Sequence, residues 1–314
     1  MKKPAAAYAA GGFPEVTAVT EPVDPARHLR QVRTYYDRNT RRFLRWGTDD
    51  GTRHLHAALW PPGVASLKAA MHHASERVAR EIERSPIRVE RVLDLGCGVG
   101  GSLFYLGRRL PRLRTLTGIS LSPVQIAHAC RLVPAGETRR FHFAEGSFLD
   151  LSGARFSADF AYAIEAFTHG PDPERFFAVL AARLPPGGRL VLIDDCLTHA
   201  AEAGGISGRQ RRWLDTYRRN WLLPGLRSAS TLESLASEKG FVLLRDEDLT
   251  PYLRLGRPRD RVISLFVRWA GPLMERNIYL KSLVGGDAKQ KCYAQGVIRY
   301  RLLVFETRSR PAGT

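Results

Sequence analysis

Cysteine and long apolar runs are scarce in this chain. Its 314 residues hold four cysteines, Cys97, Cys130, Cys196 and Cys292, all far apart. None stands at a metal-ligand spacing and no disulfide framework can be read from them, so no metal is expected and the pattern points to a reduced, cytoplasmic protein. No apolar stretch approaches the roughly 20 residues that span a bilayer, which excludes a transmembrane helix. The start, Met1-Lys2-Lys3-Pro4, has the basic flavour of a secretory leader. Tyr8, Gly11, Pro14 and Glu15 then interrupt any apolar core, so a leader is not expected. Residues 1–27 are small, Pro-containing and aperiodic, and read as a flexible arm. Internal repeats are absent. Acidic residues are also in deficit, 31 against 48 lysines and arginines, for a net charge of +17. Such a balance suits nucleic acid, an anionic membrane surface or an anionic substrate, or reflects a bias toward arginine codons. The arginine pairs at 41–42, 108–109, 139–140 and 211–212 read as solvated helix faces, and no zinc-finger or RNA-recognition signature accompanies them. No nucleic-acid partner is expected.

What the chain does have is glycine in one place. Arg91-Val92-Leu93-Asp94-Leu95-Gly96-Cys97-Gly98-Val99-Gly100-Gly101 runs from an apolar strand through an acid into a turn with four glycines, and a helix-like run follows. Glycine leaves no Cβ between backbone and ligand, so such a turn can pass close under a nucleoside at the carboxyl edge of a parallel sheet. Gly96, Gly98 and Gly101 satisfy the G-x-G-x-x-G dinucleotide fingerprint. A dinucleotide enzyme would place an acid about 20 residues on to hold the ribose. The next strand-like run ends instead in Ser120, whose hydroxyl is a weaker ribose partner.

Around the turn the sequence alternates. Strand-like runs lie at 91–95, 114–119, 140–145, 158–164 and 187–194, with helix-like runs at 101–110, 122–131 and 173–183 between them. Alternation of this kind predicts a parallel sheet covered by helices on both faces. Ser122 with Pro123 reads as a helix start. Two amino-terminal helices are predicted, over 28–46 and 65–84, separated by a turn-rich stretch at 47–51. Beyond residue 200 come an aromatic run with Trp213, Tyr217 and Trp221 at helical spacing, a helix at 229–239, a strand at 240–247, a helical region at about 258–284 and a closing strand at 297–306. The aromatic stripe reads equally as a core face or as a cap over a substrate.

The string Val92-Leu93-Asp94-Leu95-Gly96-Cys97-Gly98 resembles motif I of class I S-adenosylmethionine-dependent methyltransferases, and Pro185-Pro186-Gly187-Gly188 resembles the turn before their fifth strand. Gly118-Ile119-Ser120-Leu121-Ser122-Pro123-Val124-Gln125 is similar to a tocopherol-type methyltransferase segment. Tyr162-Ala163-Ile164-Glu165-Ala166-Phe167-Thr168-His169 is similar to one in sterol C-24 methyltransferases. Tyr35-Tyr36-Asp37 through Trp46-Gly47 resembles the amino-terminal aromatic segment of that group, and Leu55 to Trp60 resembles prenyl-diphosphate C-methyltransferases. The likeness is good over about 90–195 and loose elsewhere.

The resemblance implies an α/β fold: a Rossmann-like seven-stranded methyltransferase sheet with helices on both faces, an amino-terminal helical lid and a helical insertion after strand five. The corresponding division is a lid at 28–86 and a methyltransferase domain at 87–310, with a cap insertion at about 200–228 and a helical region at about 258–284. It implies S-adenosyl-L-methionine as cofactor, released as S-adenosyl-L-homocysteine. Asp94, Gly96, Cys97 and Gly98 would meet its methionine and ribose, and Ser120, Leu121 and Gln125 its ribose and adenine. Gly146, Ser147, Phe148, Ile164 and Glu165 would complete the pocket. Ser147 stands where relatives hold an acid facing the adenine amine, and Phe148 can pack on the ring. Cys97 serves as a small residue and not as a nucleophile.

Methyl transfer from a sulfonium needs orientation and electrostatics, not a protein nucleophile. The expected acceptor is a small lipophilic isoprenoid methylated at an alkene carbon, such as a sterol, another terpene or an anionic prenyl diphosphate. A quinol, phenol or amine is the alternative. Glu165 is the leading catalytic candidate, with His169 and Tyr36 beside it. Tyr35, Trp46 and Trp60 are candidates for lining a lid. The charge leaves room for peripheral membrane contact, and a monomer and a homo-oligomer are equally compatible.

Overall fold

The computed structural model describes residues 24–46, 52–153, 156–274 and 277–308. Most of the arm, and the turn-rich stretch at 47–51, lie outside the described residues, as do the side chains of Phe43 and Trp46. The first helix, α1 (Pro25–Trp46), starts earlier than the expected 28. Asp24 explains this: its carboxylate accepts from the Ala26 N–H at 3.0 Å, and Pro25 occupies the first turn, where a missing N–H costs nothing. Helix α2 (Leu67–Glu83) is capped by Ser66, whose hydroxyl accepts from the Ala69 N–H.

The core alternates through β1 (Arg91–Leu95), α3 (Gly101–Arg109), β2 (Thr115–Ser120), α4 (Pro123–Arg131), β3 (Phe141–Glu145), β4 (Phe160–Ile164), α5 (Pro173–Ala181) and β5 (Arg189–Leu197). A short α6 (His199–Glu202) leads to α7 (Gly208–Trp221), α8 (Ala229–Glu238), β6 (Phe241–Asp248), α9 (Pro258–Met274), α10 (Ile278–Ala294) and β7 (Ile298–Thr307). The seven strands form one sheet in the order β3-β2-β1-β4-β5-β7-β6. The first five are parallel, and β7 inserts antiparallel between β5 and β6. Pairing with β7 carries β5 to Leu197, three residues beyond the expected end, where Leu197 faces Ile298.

Apolar clusters cover both faces. Val78, Leu103, Leu106, Leu214 and Tyr217 pack with Val92 and Tyr162 on one side; Phe176, Phe177, Leu180 and Phe241 pack with Leu93 and Ala161 on the other. The successive residues of β1 and β4 thus point into opposite clusters, as strands buried on both faces require.

The helical region expected at 258–284 is two helices, and the second runs on to Ala294. Asn277 restarts the chain: its side-chain oxygen accepts from the Leu280 N–H at 3.2 Å. Gly285, inside α10, reads as a breaker by propensity but is there for packing. A Cβ on it would stand 2.3 Å from Trp221 of α7, so the two helices approach as closely as a hydrogen side chain allows. Arg140 also departs from the solvated-face reading, since its guanidinium donates to the carbonyls of Gly107, Leu110 and Leu113 around the end of α3. No helix among the described residues is long and apolar enough to cross a membrane.

Candidate active site

Strand order reverses between β1 and β4, the position at which open α/β sheets leave a crevice at their carboxyl edge. A cavity lies there. Its floor is the glycine turn with Asp94, Gly96, Cys97 and Gly98; Ser120, Leu121 and Gln125 come from the end of β2 and from α4. Gly146 and Phe148 follow β3, and Ile164, Glu165, Ala166 and His169 follow β4. The roof is Val32 and Tyr36 of α1 with the segment Arg53 to His56. Of the residues expected to hold a cofactor, Ser147 is the one outside the lining. Its hydroxyl turns back to accept from the Leu149 N–H at 3.1 Å.

Gly96, Gly98 and Gly100 have positive φ angles of 96°, 54° and 85°. A Cβ on Gly96 would stand 2.4 Å from the Ala166 Cβ, and one on Gly101 would stand 2.6 Å from the Arg53 carbonyl oxygen. The turn is therefore pressed between the β4 loop and the roof. Cys97 is buried, and burial pushes its thiol well above its ordinary range, which leaves it a packing residue.

Asp94 is buried and accepts from the Tyr162 hydroxyl at 2.7 Å; burial pushes its carboxyl up to about 7. A positively charged group placed beside it would be favoured by its ionised form. On the far side, Ser120 donates to Gln125 Oε1 at 2.8 Å and accepts from the Ser122 N–H. That bond assigns the carbonyl end of the Gln125 amide to Ser120 and leaves the amide nitrogen as the donor for a hydroxyl. Phe148 presents its ring to the cavity and packs edge-on against Phe176. A cationic amine at Asp94, a ribose near Gln125 and an adenine near Phe148 thus suit the residues present.

Glu165 follows β4 at a φ of +49°, a conformation uncommon outside glycine, with its N–H bonded to the Ile193 carbonyl at 2.8 Å. Its Oε1 accepts from the Ala57 N–H at 2.6 Å and from the Tyr300 hydroxyl at 2.9 Å, and Lys289 Nζ lies 4.0 Å from Oε2. Burial acts to raise this carboxyl. Lys289 above all, then the His56 ring, the Ala57 amide and the Tyr300 hydroxyl, outweigh it and hold the group below the usual carboxylate range. Lys289 also pairs with Asp195 at 3.0 Å, and Asp195 accepts in turn from the hydroxyls of Tyr217 and Tyr293. The aromatic stripe of α7 therefore serves the interior: Tyr217 is fully buried, Trp221 donates to the Ser282 carbonyl, and neither lines the cavity.

His169 is fixed by two bonds. Nδ1 lies 3.1 Å from the Leu222 carbonyl oxygen, so it carries the proton; Nε2 accepts from the Tyr36 hydroxyl at 2.8 Å. The His169 carbonyl accepts from His28 of α1 at 2.9 Å, which ties roof to floor. Burial lowers the His169 pKa to about 4 and pushes the Tyr36 phenol well above its ordinary value. His54 is likewise neutral, lowered by burial to about 2, and accepts from Ser75 while donating to the Thr52 carbonyl. Among the described residues no group of three or more metal-ligating side chains is assembled. Trp60 stacks under the Arg254 guanidinium at 3.3 Å and does not line the cavity; Tyr35 is buried edge-on against Tyr36.

Residues 28–246 match the family model described as a methyltransferase domain. The chain belongs to that family. This methyltransferase is 30% identical over 205 residues to the O-methyltransferase cnsE of Penicillium expansum, covering 64% of this chain and 70% of that one. It is also 30% identical over 237 residues to 24-methylenesterol C-methyltransferase 2 of Oryza sativa subsp. japonica, covering 75% of this chain and 62% of the relative. Its fold matches that of geranyl diphosphate C-methyltransferase from Streptomyces coelicolor A3(2), with a TM-score of 0.63 at 18% identity over 92% of this chain and all of that one. The methyltransferase takes S-adenosyl-L-methionine as its methyl donor, in keeping with motif I at Asp94 to Gly98.

Lys289 and Tyr300 escaped the reading of the sequence. Both lie more than 120 residues beyond Glu165 in the chain. Lys289 sits in the polar-looking run Asp287-Ala288-Lys289-Gln290-Lys291, and no local pattern separates a largely covered lysine there from a solvated one.

Proposed function

We propose that this methyltransferase methylates an alkene carbon of an uncharged isoprenoid, such as a sterol or another terpene. The observation that carries the reading is the Glu165 carboxylate, kept ionised at the cavity wall by Ala57, Tyr300 and Lys289. When bound, S-adenosylmethionine supplies an electrophilic methyl group to whatever nucleophile faces it. An alkene that takes the methyl becomes a carbocation, and a fixed anion beside it lowers the energy of that charge. A phenolate or diphosphate would meet repulsion from the same group. Among the described residues Arg53 is the one arginine or lysine lining the cavity, too few for close neutralisation of a diphosphate.

The Tyr36–His169 pair supports the same chemistry. A C–H beside a carbocation is strongly acidic, so a weak base suffices. The proton passes to the Tyr36 oxygen as the phenol's own proton moves to His169 Nε2, and the Leu222 carbonyl holds the resulting imidazolium through Nδ1–H. A base near 4 is poorly matched to a phenol of pKa about 10. His169 accepts only while neutral. The rate at saturating cofactor should therefore stay level from about pH 8 down to about pH 5 and fall only as pH approaches 4. A decline centred at 6.5, the ordinary histidine value, would contradict a buried His169 base.

The acceptor is tested with methyl-labelled cofactor and a panel of a sterol, an acyclic triterpene, a prenyl diphosphate and a quinol. Label in an acid-stable C–CH3 group of an uncharged isoprenoid is the expected product. Turnover confined to the quinol would replace this reading with O-methylation, the activity named for the Penicillium relative.

A further inference from the structure

Helix α9 has two apolar sides. Ile263, Val267, Ala270 and Met274 are half-buried, and the helix packs on α10. The opposite side is open: Val262, Leu265, Phe266, Trp269 and Leu273 are 55%, 58%, 63%, 79% and 66% exposed. At the helical repeat these five fall on one stripe roughly 100° wide. Arg259 borders the stripe on one edge, Arg261 and Arg268 on the other, and all three are exposed. Arg254 and Arg257, also exposed, precede the helix. Single exposed apolar residues are ordinary, but a contiguous band of large ones marks a contact surface.

We propose that α9 is an interfacial helix that lies on an anionic phospholipid surface, its 262–273 stripe sunk to the boundary between headgroups and acyl chains. Depth and charge match. The apolar centre enters the acyl region, Trp269 suits the interface, and the bordering guanidiniums stand level with the phosphates. The chain's net charge of +17 draws it to the same surface. A second copy of the chain fits less well, because a two-fold contact through this stripe would bring the arginine borders of both copies together. Nucleic acid would face the apolar centre of the stripe where it needs cations. The contact does not depend on which acceptor the active site takes.

Flotation of the full chain with phosphatidylcholine vesicles, with and without about one third phosphatidylglycerol, tests this. The protein should float with the anionic vesicles, at least about tenfold more strongly than with neutral ones, and detach as salt rises. The triple variant Leu265→Ser/Phe266→Ser/Trp269→Ser should lose about tenfold or more of that binding. None of the three lines the cavity, so its affinity for S-adenosylhomocysteine by calorimetry should be unchanged and reports that it is folded. Failure of the parent protein to float, or flotation of the variant equal to the parent's, would overturn the proposal. So would a parent dimer in light scattering that the variant dissolves while vesicle binding is absent, or retention on RNA in place of vesicles.

Discussion

Glu165→Gln should lower turnover by about 100-fold or more while cofactor affinity changes by less than about threefold. The replacement keeps an oxygen that can accept from the Ala57 N–H and the Tyr300 hydroxyl, so the roof stays docked. What it removes is the negative charge, and it turns an amide nitrogen toward Lys289. A 100-fold loss corresponds to about 2.7 kcal/mol of transition-state stabilisation, within reach of one fixed charge. The measurement is single-turnover kinetics with labelled cofactor beside calorimetry with S-adenosylhomocysteine. Turnover within about threefold of the parent would remove the role given to this carboxylate. A rise in turnover would point to an anionic nucleophile that the parent's charge had been opposing.

The second large effect is expected at the glycine turn. Gly96→Ala should weaken S-adenosylhomocysteine binding by at least about 100-fold. The new methyl group would stand 2.4 Å from the Ala166 Cβ, so turn and β4 loop must separate by about 1 Å, and both walls of the cavity move. Positive φ alone does not account for such a loss. Among the described residues Gly98→Ala meets only Leu55 Cδ1, at 3.6 Å, and should cost about tenfold, and Gly136→Ala carries the same kind of backbone strain with none of them within 4 Å and should leave binding unchanged. Titration calorimetry on the three variants, with circular dichroism to confirm folding, separates crowding from strain. Equal affinities for Gly96→Ala and the parent would show that the turn is not the cofactor's seat.

Much of the fold was legible because it rests on local signals. Apolar strands alternate with amphipathic helices, Ser122 and Pro123 announce α4, and the glycine turn marks the ligand edge of the sheet. The carboxyl-terminal elements were harder. Gly285 reads as a breaker and acts as a seat for Trp221, a property of two helices 64 residues apart that neither stretch reveals alone. Asp24-Pro25 is a recognisable helix start, and the aperiodic arm before it hid the signal. Cavity-lining residues on the β1, β2 and β4 loops could be placed from motif position. Ser147 could not, because turn geometry decides whether such a hydroxyl faces the cavity or bonds back to its own chain. Lys289 and Tyr300 were invisible for a deeper reason. Tyr300 reaches Glu165 through the antiparallel insertion of β7, and Lys289 through the packing of α10 on α7, long-range contacts with no local trace.

That insertion has a consequence for biogenesis. Glu165 emerges from the ribosome 135 residues ahead of Tyr300, and β5 and β6 are both made before the strand that joins them. At about 5–20 residues per second the carboxylate waits roughly 7–27 s for its hydroxyl partner. Once made, β5 offers an unpaired border to any neighbouring nascent polypeptide until β7 follows. The hydrogen-bonded setting of Glu165 is thus completed only with β7, the strand that also seals the border of β5.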